Sequence, residues 1–145
     1  MNITTQIIIT AIVTIFVVQT LKLATDGIKG NLNIKSILSV YGGMPSSHTA
    51  VVTSLTTLVG FHEGMNSAFF GISLIFSAII IIDAMKFRGY VDGNSKVLKK
   101  IVDNHPEIIK DDSKPIETKL QHTPLQVFIG ALIGIGIGSL AYVIF

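Results

Sequence analysis

Residues 3–21, 46–61, 67–82 and 124–145 contain no Asp, Glu, Lys or Arg. A chain built around four such stretches has few ways to fold. Crossing a bilayer takes ~20 mostly apolar residues, with ~17 as a lower limit. The first and last stretches meet that length alone. The middle two are marginal, but only His62 and Glu63 break the charge-free run near their junction, which suits a tight helical hairpin. A buried hairpin that does not fully cross is the alternative for that pair. The first stretch lacks a basic n-region and a small-residue cleavage site, so it reads as a retained span rather than a signal peptide. Composition agrees: 14% of residues are charged, against about a quarter in an ordinary soluble domain, and the mean hydropathy is +0.64. The expected fold is all-α, a single membrane domain over residues 1–145. It is a helical bundle of about four transmembrane helices with a short amphipathic cytoplasmic helix. Cysteine is absent, which excludes a disulfide framework, a thiolate metal site and a thiol nucleophile.

Basic residues orient the bundle. Lys22, Lys29 and Lys35 fall between the first and second stretches; Lys86, Arg88, Lys96, Lys99, Lys100, Lys110, Lys114 and Lys119 fall between the third and fourth. None lies at either terminus or in the hairpin. Lys and Arg in short loops stay on the cytoplasmic side, so both termini are expected outside, with residues 83–123 as a cytoplasmic loop of a multi-pass cell-membrane protein. A basic face also attracts anionic membrane lipids. Nucleic acid is not an expected partner, because Asp92, Asp103, Glu107, Asp111, Asp112 and Glu117 interrupt the basic residues. Within the loop, "DGNSKVLKKIVDNHPE" predicts an amphipathic helix capped by Asn94 or Ser95 and ended before Pro106. Val97, Leu98, Ile101 and Val102 make its apolar face, suited to the membrane surface.

That topology gathers unusual polar residues at one depth. Lys22 ends the first span, Ser46, Ser47 and His48 open the second, Asp83 and Arg88 follow the third, and His122 precedes the fourth. Ionisable groups at membrane depth usually mark function. Two histidines among cations suit phosphoryl transfer, with one imidazole as nucleophile and the other as general acid. Lys22, Lys29 and Arg88 can supply positive charge. The start of the second helix offers free N–H groups to an anion, Gly42 and Gly43 permit close approach, and Ser46 and Ser47 can donate to a phosphate oxygen. Singly, these residues have plainer readings: an N-cap for Ser46 or Ser47, a backbone hydrogen bond for His48, a membrane anchor for Lys22 and Lys86, a helix start for His122. Asp83 resists such a reading, since a carboxylate after "SLIFSAIIII" is costly without a partner; Arg88 is near enough to pair with it, though off ideal helical spacing.

"GGMPSSHTA", "DAMKFR" and "HTPLQVFIGALIG" together resemble the divergent branch of the type-2 phosphatidic acid phosphatase superfamily, which also contains the vanadium haloperoxidases. The resemblance runs from about Lys22 to the C-terminus. It implies a phosphatase acting on a lipid or polyprenyl phosphate monoester without a metal or other cofactor. His122 would be the nucleophile, carrying a phosphohistidine, and His48 the general acid. Lys22, Ser46, Ser47 and Arg88 would bind the phosphate, with Asp83, Gln126 and Lys29 in support. Lys29-Gly30 stands where the family has Arg-Pro, and Ser47 where it has Gly; two further departures bear on catalysis, Ile116 where an Arg is expected and Gln126 where an Asp would orient the nucleophilic ring. Arg88 and Asp83 are the candidate substitutes. These departures leave two other classes in view, a lipid-phosphate binder or transporter without hydrolysis and a structural membrane subunit. Finally, Gly130, Gly134 and Gly138 form a small-residue ridge for close helix packing, either inside the chain or in a homodimer.

Overall fold

The computed structural model describes residues 1–25, 44–105, 116 and 121–145. Lys29, Gly42 and Gly43 lie outside the described residues. The described chain is helical: α1 (Ile3–Thr25), α2 (Ser47–Glu63), α3 (Ala68–Ile82), a π-helical turn (Asp83–Phe87), α4 (Arg88–Asn104) and α5 (Pro124–Ile144). Among the described residues no strand occurs. The hairpin between α2 and α3 forms as expected. Gly64 takes a left-handed φ of 85° at the end of α2, and Ser67 caps α3 by accepting from the Phe70 N–H.

Among the described residues, three helices are long and apolar enough to cross a membrane: α1, the continuous run Ala68–Asn104, and α5. The second stretch, expected as a span in its own right, is not among them. Its 17 residues rise about 25 Å, short of a hydrocarbon core of about 30 Å. Its sequence is also rich in Ser and Thr, and its position explains why that is tolerated. α2 is the central helix and touches α1, α3 and α5, so much of its surface meets protein rather than lipid.

The amphipathic helix also differs from expectation. It begins at Arg88, in unbroken continuation of α3 through the π turn, and Asn94 and Ser95 sit inside it rather than at its cap. The chain never leaves helical geometry after Ile82, so no orphan N–H groups arise there for a side chain to cap. The end before Pro106 is as expected.

The bundle hides its small and polar residues and exposes its large apolar ones. Gln6, Thr10, Thr14 and Val18, spaced four apart, are the buried side of α1. Thr14 Oγ1 lies 3.1 Å from Ser54 Oγ on α2, and Thr56 Oγ1 of α2 lies 2.7 Å from Ser77 Oγ of α3. Such interhelical bonds contribute roughly 0.6 kcal/mol each in lipid, and up to ~1.7. Phe16, Phe69, Ile72 and Val143 face outward, which costs little where the solvent is hydrocarbon.

The closest packing is between α2 and α5. A Cβ at Gly130 would meet the Ser46 carbonyl, at Gly134 the Ala50 carbonyl and Thr53 Oγ1, and at Gly138 the Ser54 carbonyl. The ridge is therefore used inside the chain, the intramolecular one of the two expectations; a second copy would need another face. Gly136, one residue off the ridge, has open space at its Cβ position. Gly134→Ala should destabilise the protein by about 1–3 kcal/mol, the usual cost of overpacking, while Gly136→Ala is neutral or slightly stabilising. Thermal unfolding of both variants in the same detergent measures the contrast.

Candidate active site at the helix ends

Four helix ends meet at one level. Thr25 Oγ1 at the end of α1 donates to the Met44 carbonyl at 2.7 Å, fastening α1 to the segment before α2. The Ser46 N–H donates to the Gln126 carbonyl of α5 at 3.1 Å, and the His122 N–H donates to the Ala84 carbonyl of the π turn at 3.2 Å. Main-chain bonds thus bring the start of α2, the end of α3 and the start of α5 together. The helix ends that carry the expected polar residues lie side by side.

His48 and His122 come together, with ring centroids 6.4 Å apart and planes tilted by 55°. His122 is 1% exposed. Its Nδ1 lies 3.4 Å from Gln126 Oε1, which also accepts from the Thr123 N–H at 2.9 Å. Thr123 and Gln126 form a reciprocal capping box at the start of α5. An amide oxygen only accepts, so the ring proton sits on Nδ1 and the Nε2 lone pair is free. Burial lowers the His122 pKa from 6.5 to about 4; the Gln126 bond opposes the shift, while the charges of Lys22, His48 and Arg88 add to it. His122 is therefore a neutral imidazole at pH 7.

Arg88 joins His48 to Asp83. Its NH2 group is 3.1 Å from His48 Nε2 and its Nε is 3.5 Å from Asp83 Oδ2. A guanidinium only donates, so His48 Nε2 is the acceptor. The off-ideal spacing of Asp83 and Arg88 is resolved by the π turn, in which the Arg88 N–H bonds the Asp83 carbonyl five residues back. Asp83 thereby holds Arg88. It was also the candidate to orient His122, and that contact falls to Gln126 instead, because the π turn aims the carboxylate at its own helix.

Ser46 is the N-cap residue of α2 but makes no side-chain capping bond. Its fully buried hydroxyl instead accepts from Thr49 Oγ1 at 3.0 Å. Ser47 Oγ and His48 Nδ1 are buried without a hydrogen-bond partner among the described residues. Lys22, in the last turn of α1, is near enough for its charge to act on both histidines. Ile116 is half-buried.

Two participants, Thr49 and Gln121, escape a reading by motif. Thr49 supports Ser46. Gln121 donates from Nε2 to the Met85 carbonyl at 3.0 Å. Asp92 is buried and ion-paired with Lys96 Nζ at 2.7 Å. The one-turn spacing of Asp92 and Lys96 flags their ion pair; nothing in the sequence flags Gln121.

Comparison with known proteins identifies a family for the chain. The family described as the divergent PAP2 family matches residues 3–137. A curated relative, the uncharacterized membrane protein YuiD of Bacillus subtilis (strain 168), is 34% identical over 111 residues, covering 69% of this chain and 70% of the relative. No solved structure matches. With the matched region taking in all four helix ends and both imidazoles, the chain belongs to the divergent PAP2 family.

Proposed function

We infer that the protein is a membrane phosphatase hydrolysing a lipid or polyprenyl phosphate monoester through a phosphohistidine. The observation that carries this reading is the pairing of His122 and His48 across a gap of 6.4 Å between ring centroids. At that separation both rings can reach one phosphoryl group, with phosphorus about 3 Å from His122 Nε2 and the leaving oxygen within hydrogen-bond reach of His48. Family membership supports the phosphatase class.

In the proposed cycle, His122 Nε2 attacks phosphorus and the P–O ester bond breaks as His48 gives its proton to the departing alkoxide. Water then attacks the phosphohistidine. His48 takes the water's proton, the P–N bond breaks, and inorganic phosphate leaves. Arg88 and Lys22 balance the phosphate charge, and Ser46 and Ser47 stand at the N-terminus of α2. The buried, unpartnered Ser47 Oγ has the chemistry of a donor waiting for an anion. In the unliganded geometry Arg88 occupies His48 Nε2, so a phosphate that draws the guanidinium away also frees that nitrogen to carry the acid proton.

The distribution of basic residues supports a cytoplasmic site with both termini outside. Because the chain has no cysteine, single introduced thiols report side cleanly. Asn66→Cys in the hairpin should react with an impermeant maleimide on intact cells, and Ser95→Cys only after permeabilisation. The reverse pattern would invert the topology.

One observation favours a second reading, a lipid-phosphate binder without turnover: Gln126 orients His122 without supplying negative charge. Phosphate release from a panel of lipid phosphates separates the two. Hydrolysis should be abolished in His122→Ala, fall about 100-fold or more in His48→Ala, and be inhibited by vanadate. Retained binding with no release in the parent protein would establish the binder instead.

The His122 pKa gives a further test. Lowered to about 4, it leaves the nucleophile unprotonated above that pH, so its acid limb in kcat/KM should lie near 4 rather than near 6.5. Gln126→Glu, which keeps the capping box, puts a negative charge beside the ring and should move that limb upward. The same shift lowers folding stability as pH falls from about 6.5 toward 4, because the unfolded chain takes up the proton first.

A further inference from the structure

The π turn carries contacts that no part of the proposed cycle requires. In a regular helix, five residues advance about 140° past a full turn, and Asp83 would face away from Arg88. The π turn brings them to one side, where the carboxylate steadies the guanidinium at 3.5 Å. The outer face of the same turn is occupied as well. Two consecutive carbonyls, of Ala84 and Met85, accept from two consecutive residues: the His122 N–H at 3.2 Å and Gln121 Nε2 at 3.0 Å. Gly89 leaves room for this. A Cβ there would stand 3.0 Å from the Gln121 Cδ and Nε2. One turn of helix therefore aims Arg88 at His48 from its inner side and anchors the segment carrying His122 from its other side.

We propose that Gln121, clasped to the Met85 carbonyl over Gly89, is a positioning residue that keeps His122 buried and in register with His48. The segment needs it because His122 stands outside α5, before Pro124, where its backbone N–H bond to Ala84 is the only main-chain tie among the described residues that reaches it from another helix. A single bond leaves a short segment free to pivot. A second donor on the adjacent residue, meeting the adjacent carbonyl, removes that freedom. Gln121 touches no reacting atom; it acts through the segment.

The nucleophilic role of His122 rests on the reading above, but the clasp does not, and the experiment separates them. Carbethoxylation of His122 by diethyl pyrocarbonate, followed by mass spectrometry on the full chain in detergent, reads its burial without reference to turnover; exposed His105 is the internal standard. His122 should be protected in the parent protein and in Gln121→Lys, which keeps a donor. It should react at least about tenfold faster in Gln121→Glu, an isostere that at neutral pH can only accept, and in Gly89→Ala, which pushes the side chain aside. If the parent protein releases phosphate, the same two variants should lower kcat about tenfold with KM little changed. Equal His122 labelling in all four proteins overturns the clasp and leaves the phosphatase reading standing. The expected labelling pattern without phosphate release from any substrate overturns the phosphatase reading and leaves the clasp standing.

Discussion

Hydrocarbon offers no hydrogen bonds, so a polar group in a span must find its partner within the protein. That constraint decides which residues face inward here. Hydroxyls and glycines fill the interior, and Leu, Ile and Phe cover the outside. α2 is the clearest product of it. A helix with so many Ser and Thr residues would be a poor lipid-facing element, yet it is a good axle around which three more apolar helices pack. Glycines at every fourth position of α5 bring its backbone onto that of α2, and it is this contact that lets the Ser46 N–H reach the Gln126 carbonyl. The site is assembled on the end of the closest interface in the molecule.

The electrostatics of the cluster follow from its position at the boundary. His122 is buried enough to be neutral, which a nucleophile needs, and the neighbouring cations reinforce that state instead of opposing it. An ionised carboxylate at position 126 would raise the ring's basicity. Glutamine retains the orientation and leaves the basicity low. In a phosphohistidine cycle, a weakly basic imidazole attacks less readily but departs more readily, shifting the burden from release of phosphate toward its capture.

Much of this was legible in the chain. Charge-free lengths located the apolar helices, and His62 with Glu63 between two such lengths marked the hairpin. "PSSH" and "HTPLQ" marked helix starts whose histidines do approach one another. What the chain concealed has physical causes. That α2 is the inner helix was hidden because hydropathy records length and charge, not whether neighbours surround a helix. The start of α4 was misplaced because Asn94 and Ser95 are good caps, but a cap is needed only where a helix begins. The Asp83–Arg88 pair looked badly spaced under α-helical geometry and is well spaced under π geometry, a difference of one residue per turn that no propensity scale reports. Gln121 has no motif at all; its role exists only because two distant segments dock.

From Ala68 to Asn104 the chain is a single rod. Along its far half Phe87, Tyr90, Val91, Val97, Leu98 and Ile101 present an uncovered apolar stripe, like the keel of a hull. Arg88 projects from the same rod at a different bearing. Whatever seats the keel sets the roll of the whole shaft, and with it the direction in which the guanidinium points.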